Sequence, residues 1–192
     1  GAYPGSPLVN VYILPGITIQ LTVSSTPCNN LTINATGRLY SLNVSNVYVN
    51  VYGNITCDGI IGNGATFDGI SFNIEGPNCL FTGAGVVDCS RIRKNLSTNL
   101  TSNLIFDINV NLRFSTGSQT QIYNNSAGTV FNVTVNAGKI LNLPAVGPNV
   151  GHVSMDGLSG NGAGEMGGSY TINGTLIISG ILFILTDNVT SP

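Results

Sequence analysis

Charged side chains are the scarcest component of this chain. They make up 7% of its 192 residues, against about 25% in an ordinary soluble protein, and the net charge at pH 7 is −2. Binding to nucleic acid requires an extended basic surface, and the chain offers one small basic cluster, Arg91, Arg93 and Lys94. We interpret this cluster as a solvated loop, and the composition argues against a nucleic-acid partner.

Residues that carry out catalysis or bind metals are also few. There are eight aspartates and glutamates and a single histidine, His152, with no nucleophile motif beside it. A polysaccharide hydrolase needs paired carboxylates, and Asp58 with Asp68 or Asp88 with Asp107 are the available pairs, neither singled out by its context. We therefore expect no enzyme activity, no catalytic residue, no cofactor and no metal site. With so little to titrate, we also expect stability to depend weakly on pH.

Long apolar runs are absent as well. The longest, residues 176–185, contains Ser179 and Gly180 and falls short of the roughly 18 apolar residues that a membrane span needs. The chain starts with Gly1-Ala2-Tyr3 rather than methionine, so we expect that a secretion signal has been removed. These features predict an extracellular protein without a membrane span.

Sequons for N-linked glycosylation are the main positive feature. The chain has ten Asn-X-Ser/Thr sites, roughly twice the number that random placement of its residues gives. An accident of a composition rich in Asn, Ser and Thr is the alternative explanation. A coat of N-linked glycans would keep a chain with so little charge in solution. The predicted sites are Asn30, Asn34, Asn43, Asn54, Asn95, Asn99, Asn124, Asn132, Asn173 and Asn188.

Four cysteines, an even number, are typical of an oxidising compartment. Their spacing matches no zinc motif, and three disulfide pairings are available. We favour Cys79–Cys89 together with Cys28–Cys57, because residues 80–87 resemble a hairpin with a glycine-rich turn that would place Cys79 opposite Cys89. Free buried cysteines are the alternative.

Alternating apolar and polar residues predict an all-β protein. Phe106, Ile108, Val110 and Leu112 alternate with polar residues, and the segments around residues 31, 47 and 131 show the same pattern. We predict an antiparallel β-sandwich, pilin-like or jelly-roll-like, with strands that are buried on one face. A β-solenoid is the structural alternative, which we rank lower because no fixed repeat of about 20–30 residues is apparent.

The N-terminus contains an apolar strand followed by Pro15-Gly16. Val9, Val11 and Ile13 share one face of this segment, and an apolar strand of this kind is unstable in water without a partner. It can pair within its own domain, or it can complete the sheet of a neighbouring subunit by strand addition. The second arrangement, repeated head to tail, gives a filament. We divide the chain into a donor strand and hinge, residues 1–16, and one β-sandwich domain, residues 17–192.

The chain resembles the archaeal surface pilins that assemble by donor-strand complementation, of the thread-pilin type. The N-terminal strand, the sequons, the low charge, the alternation and the cysteines carry this resemblance. It implies a glycosylated filament subunit whose N-terminal tail inserts into the next subunit, with a role in adhesion or cell–cell contact. Carried onto this sequence, the donor spans about residues 7–14, and its residues are Leu8, Val9, Val11 and Ile13.

Two other functions remain open at this level. The first is a secreted carbohydrate-binding or cell-wall domain that does not polymerise, in which Tyr40, Tyr48 and Tyr52 form a sugar-stacking strip. The second is a β-solenoid enzyme that acts on polysaccharides, which would require carboxylates clustered in space.

Overall fold

The structure is a computed structural model. It describes residues 9–23, 26–42, 47–62, 69–94, 101–112, 122–124, 129–143, 153–156, 168–178 and 182–183. Its strands form three seven-stranded sheets, and every strand pair is parallel. The antiparallel β-sandwich that we predicted is therefore wrong, and the fold is a parallel β-solenoid.

Each sheet contains every third strand of the chain. The first sheet comprises β1 (Val11–Ile13), β4 (Leu31–Ile33), β7 (Ile55–Cys57), β10 (Asn78–Thr82), β13 (Thr101–Asp107), β16 (Val130–Val135) and β19 (Tyr170–Ile172). The second comprises β2 (Thr18–Gln20), β5 (Arg38–Tyr40), β8 (Ile60–Ile61), β11 (Val86–Cys89), β14 (Val110–Leu112), β17 (Ile140–Leu143) and β20 (Thr175–Ile178). The third comprises β3 (Thr26–Cys28), β6 (Val47–Val51), β9 (Ile70–Ile74), β12 (Arg91–Lys94), β15 (Ile122–Asn124), β18 (Val153–Asp156) and β21 (Leu182–Phe183).

The chain winds through the three sheets in turn, and each circuit of three strands is one coil. Seven coils stack, from the first coil (residues 9–28) to the seventh, which contains β19, β20 and β21. Side chains that bond between neighbouring coils of the first sheet are separated by 20, 24, 26, 25, 29 and 37 residues, in order along the chain. This drift in coil length explains why the sequence shows no fixed repeat.

The interior of the solenoid is apolar. Alternation along the strands turns one side chain inward and the next outward, and the inward positions of successive coils lie in register. Phe81 packs edge-to-face on Phe72 and Phe106, with 5.5 Å between ring centroids in both pairs. All three rings are fully buried, and aromatic pairs of this geometry add about 0.5–1.5 kcal/mol each beyond the area that they bury.

Glycines form the corner between the first and second sheets. A Cβ atom on Gly59 would collide with the carbonyl oxygen of Gly37 in the coil before it, and one on Gly85 would collide with that of Gly59. The backbones therefore approach too closely there for any other residue. Pro15-Gly16 occupies the same corner in the first coil, with Gly16 at φ +74°, so this pair makes a turn within the solenoid.

Candidate functional site: the open end of the first coil

The first coil forms one end of the stack. Its strands β1, β2 and β3 are the terminal strands of the three sheets, and in the described part of the chain each has a strand on one side only. Such an edge presents a row of backbone donors and acceptors to any strand that approaches it. Three edges from one coil therefore lie together at this end.

The hydrogen bonds of β2 to β5 show which of its backbone groups face this open edge. Leu21 donates its N–H to the carbonyl oxygen of Tyr40 (2.8 Å), and the carbonyl oxygen of Ile17 accepts from Arg38 (2.9 Å). Backbone groups of successive strand residues alternate in direction. Ile17, Ile19 and Leu21 therefore bond to β5, and the N–H and C=O groups of Thr18 and Gln20 point away from it. The same argument assigns Tyr12 of β1 to the open edge, since Val11 donates to the carbonyl oxygen of Asn30 (2.8 Å).

Large apolar side chains are exposed at this end. Ile19 occupies the same interior register as Leu39 of the second coil, yet Ile19 is 40% exposed and Leu39 is 3% exposed. Leu39 lies between two coils, whereas Ile19 has a described coil on one side only. The inward side chain of Ile13 is 3% exposed in the same coil, but five other apolar residues of this coil are exposed by 42–61%. They are Val9, Tyr12, Leu14, Ile17 and Val23.

The seventh coil is the last described coil at the other end of the stack. β19 and β20 are the terminal strands of their sheets, and Ile177 of β20 is 41% exposed. The apolar run 176–185, which we considered as an acceptor edge, begins in β20. In the described part of the chain, both ends of the solenoid therefore present strand edges with a neighbour on one side only, and different residues form the two ends.

The structure gives the N-terminal strand a partner within its own chain. β1 pairs with β4 in register, Val11 with Leu31 and Ile13 with Ile33, and Ile13 is 3% exposed. Residues 11–13 therefore pair within their own chain, which is the alternative to strand exchange that the sequence left open. Of the other two predicted donor residues, Val9 is exposed and Leu8 lies outside the described residues.

Asparagines bond from coil to coil along the first sheet. Oδ1 of Asn10 accepts from Nδ2 of Asn30 (2.9 Å), and Oδ1 of Asn30 accepts the backbone N–H of Asn54 (2.7 Å). Oδ1 of Asn54 in turn accepts the backbone N–H of Leu80 (3.0 Å). A hydrogen-bonded ladder of this kind fixes the stacking of coils. The sequence analysis did not predict it, because it attributed the high asparagine content to glycosylation sites.

Two further ladders use the same chemistry. In the first sheet Asn103 donates to Asn78 and Asn132 donates to Asn103, both at 2.9 Å. In the second sheet Asn111 donates to Oδ1 of Asp88 (2.7 Å), and Nδ2 of Asn142 donates to Asn111 (3.0 Å). Many asparagines thus have a structural role independent of glycosylation.

Six of the ten predicted glycosylation sites lie in the described part of the chain. Asn54 and Asn173 are exposed, and Asn30, Asn34 and Asn132 are partly buried. Asn124 is 3% exposed, its Nδ2 donates to the carbonyl oxygen of Thr129 (3.0 Å), and its Oδ1 accepts from the Thr129 hydroxyl (3.2 Å). A glycan has no room there, so the prediction for Asn124 is wrong for the folded chain. The remaining sites lie outside the described residues: Asn43, Asn95, Asn99 and Asn188.

All four cysteines are buried thiols, and none of them is part of a disulfide. Cys79 and Cys89 lie on β10 and β11, which belong to different sheets, so the antiparallel hairpin on which we based their pairing does not exist. Cys28 and Cys57 likewise belong to different sheets. Burial raises the pKa of Cys28 and of Cys57 to about 11, and it also raises the pKa of Cys79, which Cys28 raises further. Thiols held protonated in this way are poor nucleophiles.

Three of the described aspartates accept hydrogen bonds from neighbouring coils. Oδ1 of Asp58 accepts the N–H of Ala84 (3.0 Å), and Oδ1 of Asp107 accepts from Nδ2 of Asn136 (3.2 Å). Asp88 is 4% exposed and belongs to an asparagine ladder. Among the described residues, no group of three or more His, Cys, Asp or Glu side chains is placed to hold a metal ion.

The three tyrosines of the proposed sugar-stacking strip are not on one face. Tyr40 lies in β5 of the second sheet and Tyr48 in β6 of the third, and Tyr52 follows β6. The Arg93 guanidinium lies 3.9 Å from the ring centroid of Tyr48, and that of Arg38 lies 5.4 Å from Tyr40. Arginine therefore already occupies a face of two of these rings, and the strip that we predicted is wrong.

The basic cluster is a strand rather than a loop. In β12 the side chains of Arg91 and Arg93 are partly buried, whereas Lys94 shares the inward parity of Ile92 and is fully buried. The Lys94 Nζ donates to Oγ of Ser102 (2.6 Å), and that hydroxyl donates to the carbonyl oxygen of Gly76 (2.8 Å). In the sequence, Lys94 lies two positions after the apolar Ile92, and in a strand this spacing predicts that both side chains point inward.

None of the described residues forms a helix with the length and apolarity to cross a membrane. Comparisons of the chain with protein-family models, with curated proteins and with solved structures found no match. The site is therefore interpreted from its own geometry.

Proposed function

We propose that this protein is a structural subunit of an extracellular filament, assembled head to tail by stacking of solenoid ends. The observation that carries the proposal is the open end of the first coil, where three strand edges and exposed apolar side chains lie together. The first coil of one subunit would continue the sheets of the seventh coil of the next. This contact replaces insertion of an N-terminal donor strand, because β1 is already paired with β4.

The two ends differ from each other, which determines the kind of assembly. A contact between two different surfaces of the same chain does not close on itself unless the subunits rotate into a ring, so it generates an open polymer. Each added subunit gains parallel backbone hydrogen bonds along three strands, at about 1 kcal/mol net for each bond. It also covers the exposed part of Ile19 and its neighbours, which is favourable at about 25 cal/mol per Å² of apolar surface.

N-linked glycans complete the proposed function as a solvating coat. A glycan on Nδ2 of the exposed Asn54 is compatible with the ladder, because it is Oδ1 of this side chain that accepts the bond from Leu80. Asn173 is also exposed, at a corner between β19 and β20. With 7% charged residues, such a coat would keep the sides of the filament soluble while leaving its ends free. Adhesion or cell–cell contact is the corresponding role.

The experiment is electron microscopy of the purified chain beside two variants of Thr18. Thr18→Pro removes one of the two β2 N–H groups that face the open edge, the other being that of Gln20, and places a ring there without removing a bond to β5. Thr18→Ala is the matched control, since it shortens the same exposed side chain and keeps the N–H. Circular dichroism establishes that both variants retain their β-structure.

We expect filaments from the unchanged chain and from Thr18→Ala, and a loss of filaments in Thr18→Pro. Discrete particles from the unchanged chain at every concentration would contradict the proposal. Filaments of unchanged length in Thr18→Pro would show that β2 is not part of the contact and would refute the stacking arrangement.

A further inference from the structure

A polar cluster lies inside the solenoid, at the corner where the third sheet passes into the first. Lys94 is fully buried, Asn124 is 3% exposed and Glu75 is 7% exposed. Such residues are rarely buried in a core, because each costs free energy unless it is well paired. The proposed filament function does not use them.

These three residues lie on three consecutive coils. Lys94 is in register with Asn124 of β15 on one side and with Ile74 of β9 on the other. Glu75 follows Ile74 directly. Neighbouring strands are about 4.8 Å apart, and a lysine side chain is longer than this spacing, so the Lys94 amine can reach the carboxamide of Asn124.

We propose that Lys94 and Asn124 form an intramolecular isopeptide bond, with Glu75 as the group that carries the proton. The Lys94 Nζ attacks Cγ of Asn124 and forms the new amide. The bond between Cγ and Nδ2 breaks, and Nδ2 leaves as ammonia after receiving the proton that Nζ loses, by way of the Glu75 carboxyl group. No oxidant, reductant or other reactant takes part.

The surroundings favour each step of this reaction. The Thr129 hydroxyl donates to Oδ1 of Asn124 (3.2 Å), which polarises the carbonyl and stabilises negative charge on that oxygen. The Lys94 Nζ lies 2.6 Å from Oγ of Ser102, in the first sheet of the coil that contains Asn124, and is thereby held on the Asn124 side. Burial excludes the water that would compete as a nucleophile.

The protonation states also suit the reaction. Desolvation lowers the pKa of Lys94, although Glu75 opposes this shift, so the neutral amine that acts as nucleophile becomes more accessible. Desolvation raises the pKa of Glu75 to about 7, against the opposing effects of Lys94 and Arg93. A carboxyl group with a pKa near 7 both accepts and donates protons readily at neutral pH.

The bond is tested by peptide mapping of the full chain, produced in a bacterial host without N-glycosylation. Trypsin does not cleave after an acylated lysine, so Lys94 stays at the start of peptide 94–113. The bond joins this peptide to peptide 114–139, which contains Asn124. The linked product has the summed mass of the two peptides less one ammonia. Ammonia loss by succinimide formation at an Asn-Gly pair changes one peptide without joining two. The matched variants are Glu75→Gln, which keeps the size of the side chain, and Lys94→Arg.

We expect the linked peptide to replace peptide 95–113 almost completely in the unchanged chain, and to be absent from both variants. Recovery of unlinked peptide 95–113 in full yield from the unchanged, folded chain would overturn the proposal, whatever the variants do. A linked peptide in undiminished yield from Glu75→Gln would overturn the assignment of Glu75 as the proton carrier.

Discussion

Glu75 makes the folded chain more stable in acid than at neutral pH. Burial raises its pKa from 4.5 to about 7, so between these values the folded state holds a proton that the unfolded state releases. The stability from this group is therefore fully present below pH 4.5 and is lost as the pH rises through 7. At about 1.4 kcal/mol for each pH unit, the full shift corresponds to about 3 kcal/mol, and we expect about 2 kcal/mol because solvent screening reduces it.

The assay is equilibrium unfolding in urea from pH 4 to pH 8, for the unchanged chain and for Glu75→Gln. Glutamine does not titrate, so the variant should lose most of the slope between pH 4.5 and 7. Stability that rises with pH across this window in the unchanged chain would refute the reasoning, and so would an equal slope in the two proteins. The count of titratable residues predicts little dependence on pH, and the buried position of Glu75 adds this one exception.

Three substitutions test the packing of the coils. Phe81→Ala should lower the free energy of unfolding by about 3–5 kcal/mol, since it removes a fully buried ring. A loss below 1 kcal/mol, measured by urea unfolding, would contradict the buried position of this ring. Gly59→Ala should destabilise more than an exposed substitution, as its Cβ would meet the Gly37 carbonyl oxygen, and an unchanged melting temperature would speak against this corner. Asn111→Ala breaks the ladder bonds to Asp88 (2.7 Å) and from Asn142 (3.0 Å) and should cost about 1–3 kcal/mol; the exposed Asn173→Ala is its control and should show less than 0.5 kcal/mol.

Strand positions and the direction of each side chain were predictable from the sequence. Val47, Val49 and Val51 are buried on one parity of β6, as their alternation indicates. The partner of each strand was not predictable, because a period of two is the same in antiparallel sandwiches and in solenoids. The varying coil length, from 20 to 37 residues between bonded side chains, removed the one signal that separates the two folds.

Burial depends on position in the stack as well as on parity. Ile19 and Leu39 have the same parity in their strands and the same register, yet only Leu39 is buried. The sequence does not state which coil is terminal, so the open end of the first coil could not be located from the pattern. The burial of Asn124 could not be predicted for the same reason. A sequon is a pattern of three residues and does not indicate how the rest of the fold covers them.

The parallel stacking of coils is tested most directly by paired cysteine substitutions on the first sheet. Thr56 and Thr82 are register partners on adjacent coils, about 4.8 Å apart, within the range of a disulfide. Thr32 and Thr82 are two coils apart, since Thr32 is in register with Thr56, and the separation of about 9.6 Å exceeds the limit of about 7 Å. After mild oxidation, unfolding and alkylation, the account predicts that the introduced thiols of Thr56→Cys/Thr82→Cys escape alkylation and that those of Thr32→Cys/Thr82→Cys do not. Free thiols in the first pair, or a disulfide in the second, would contradict the solenoid.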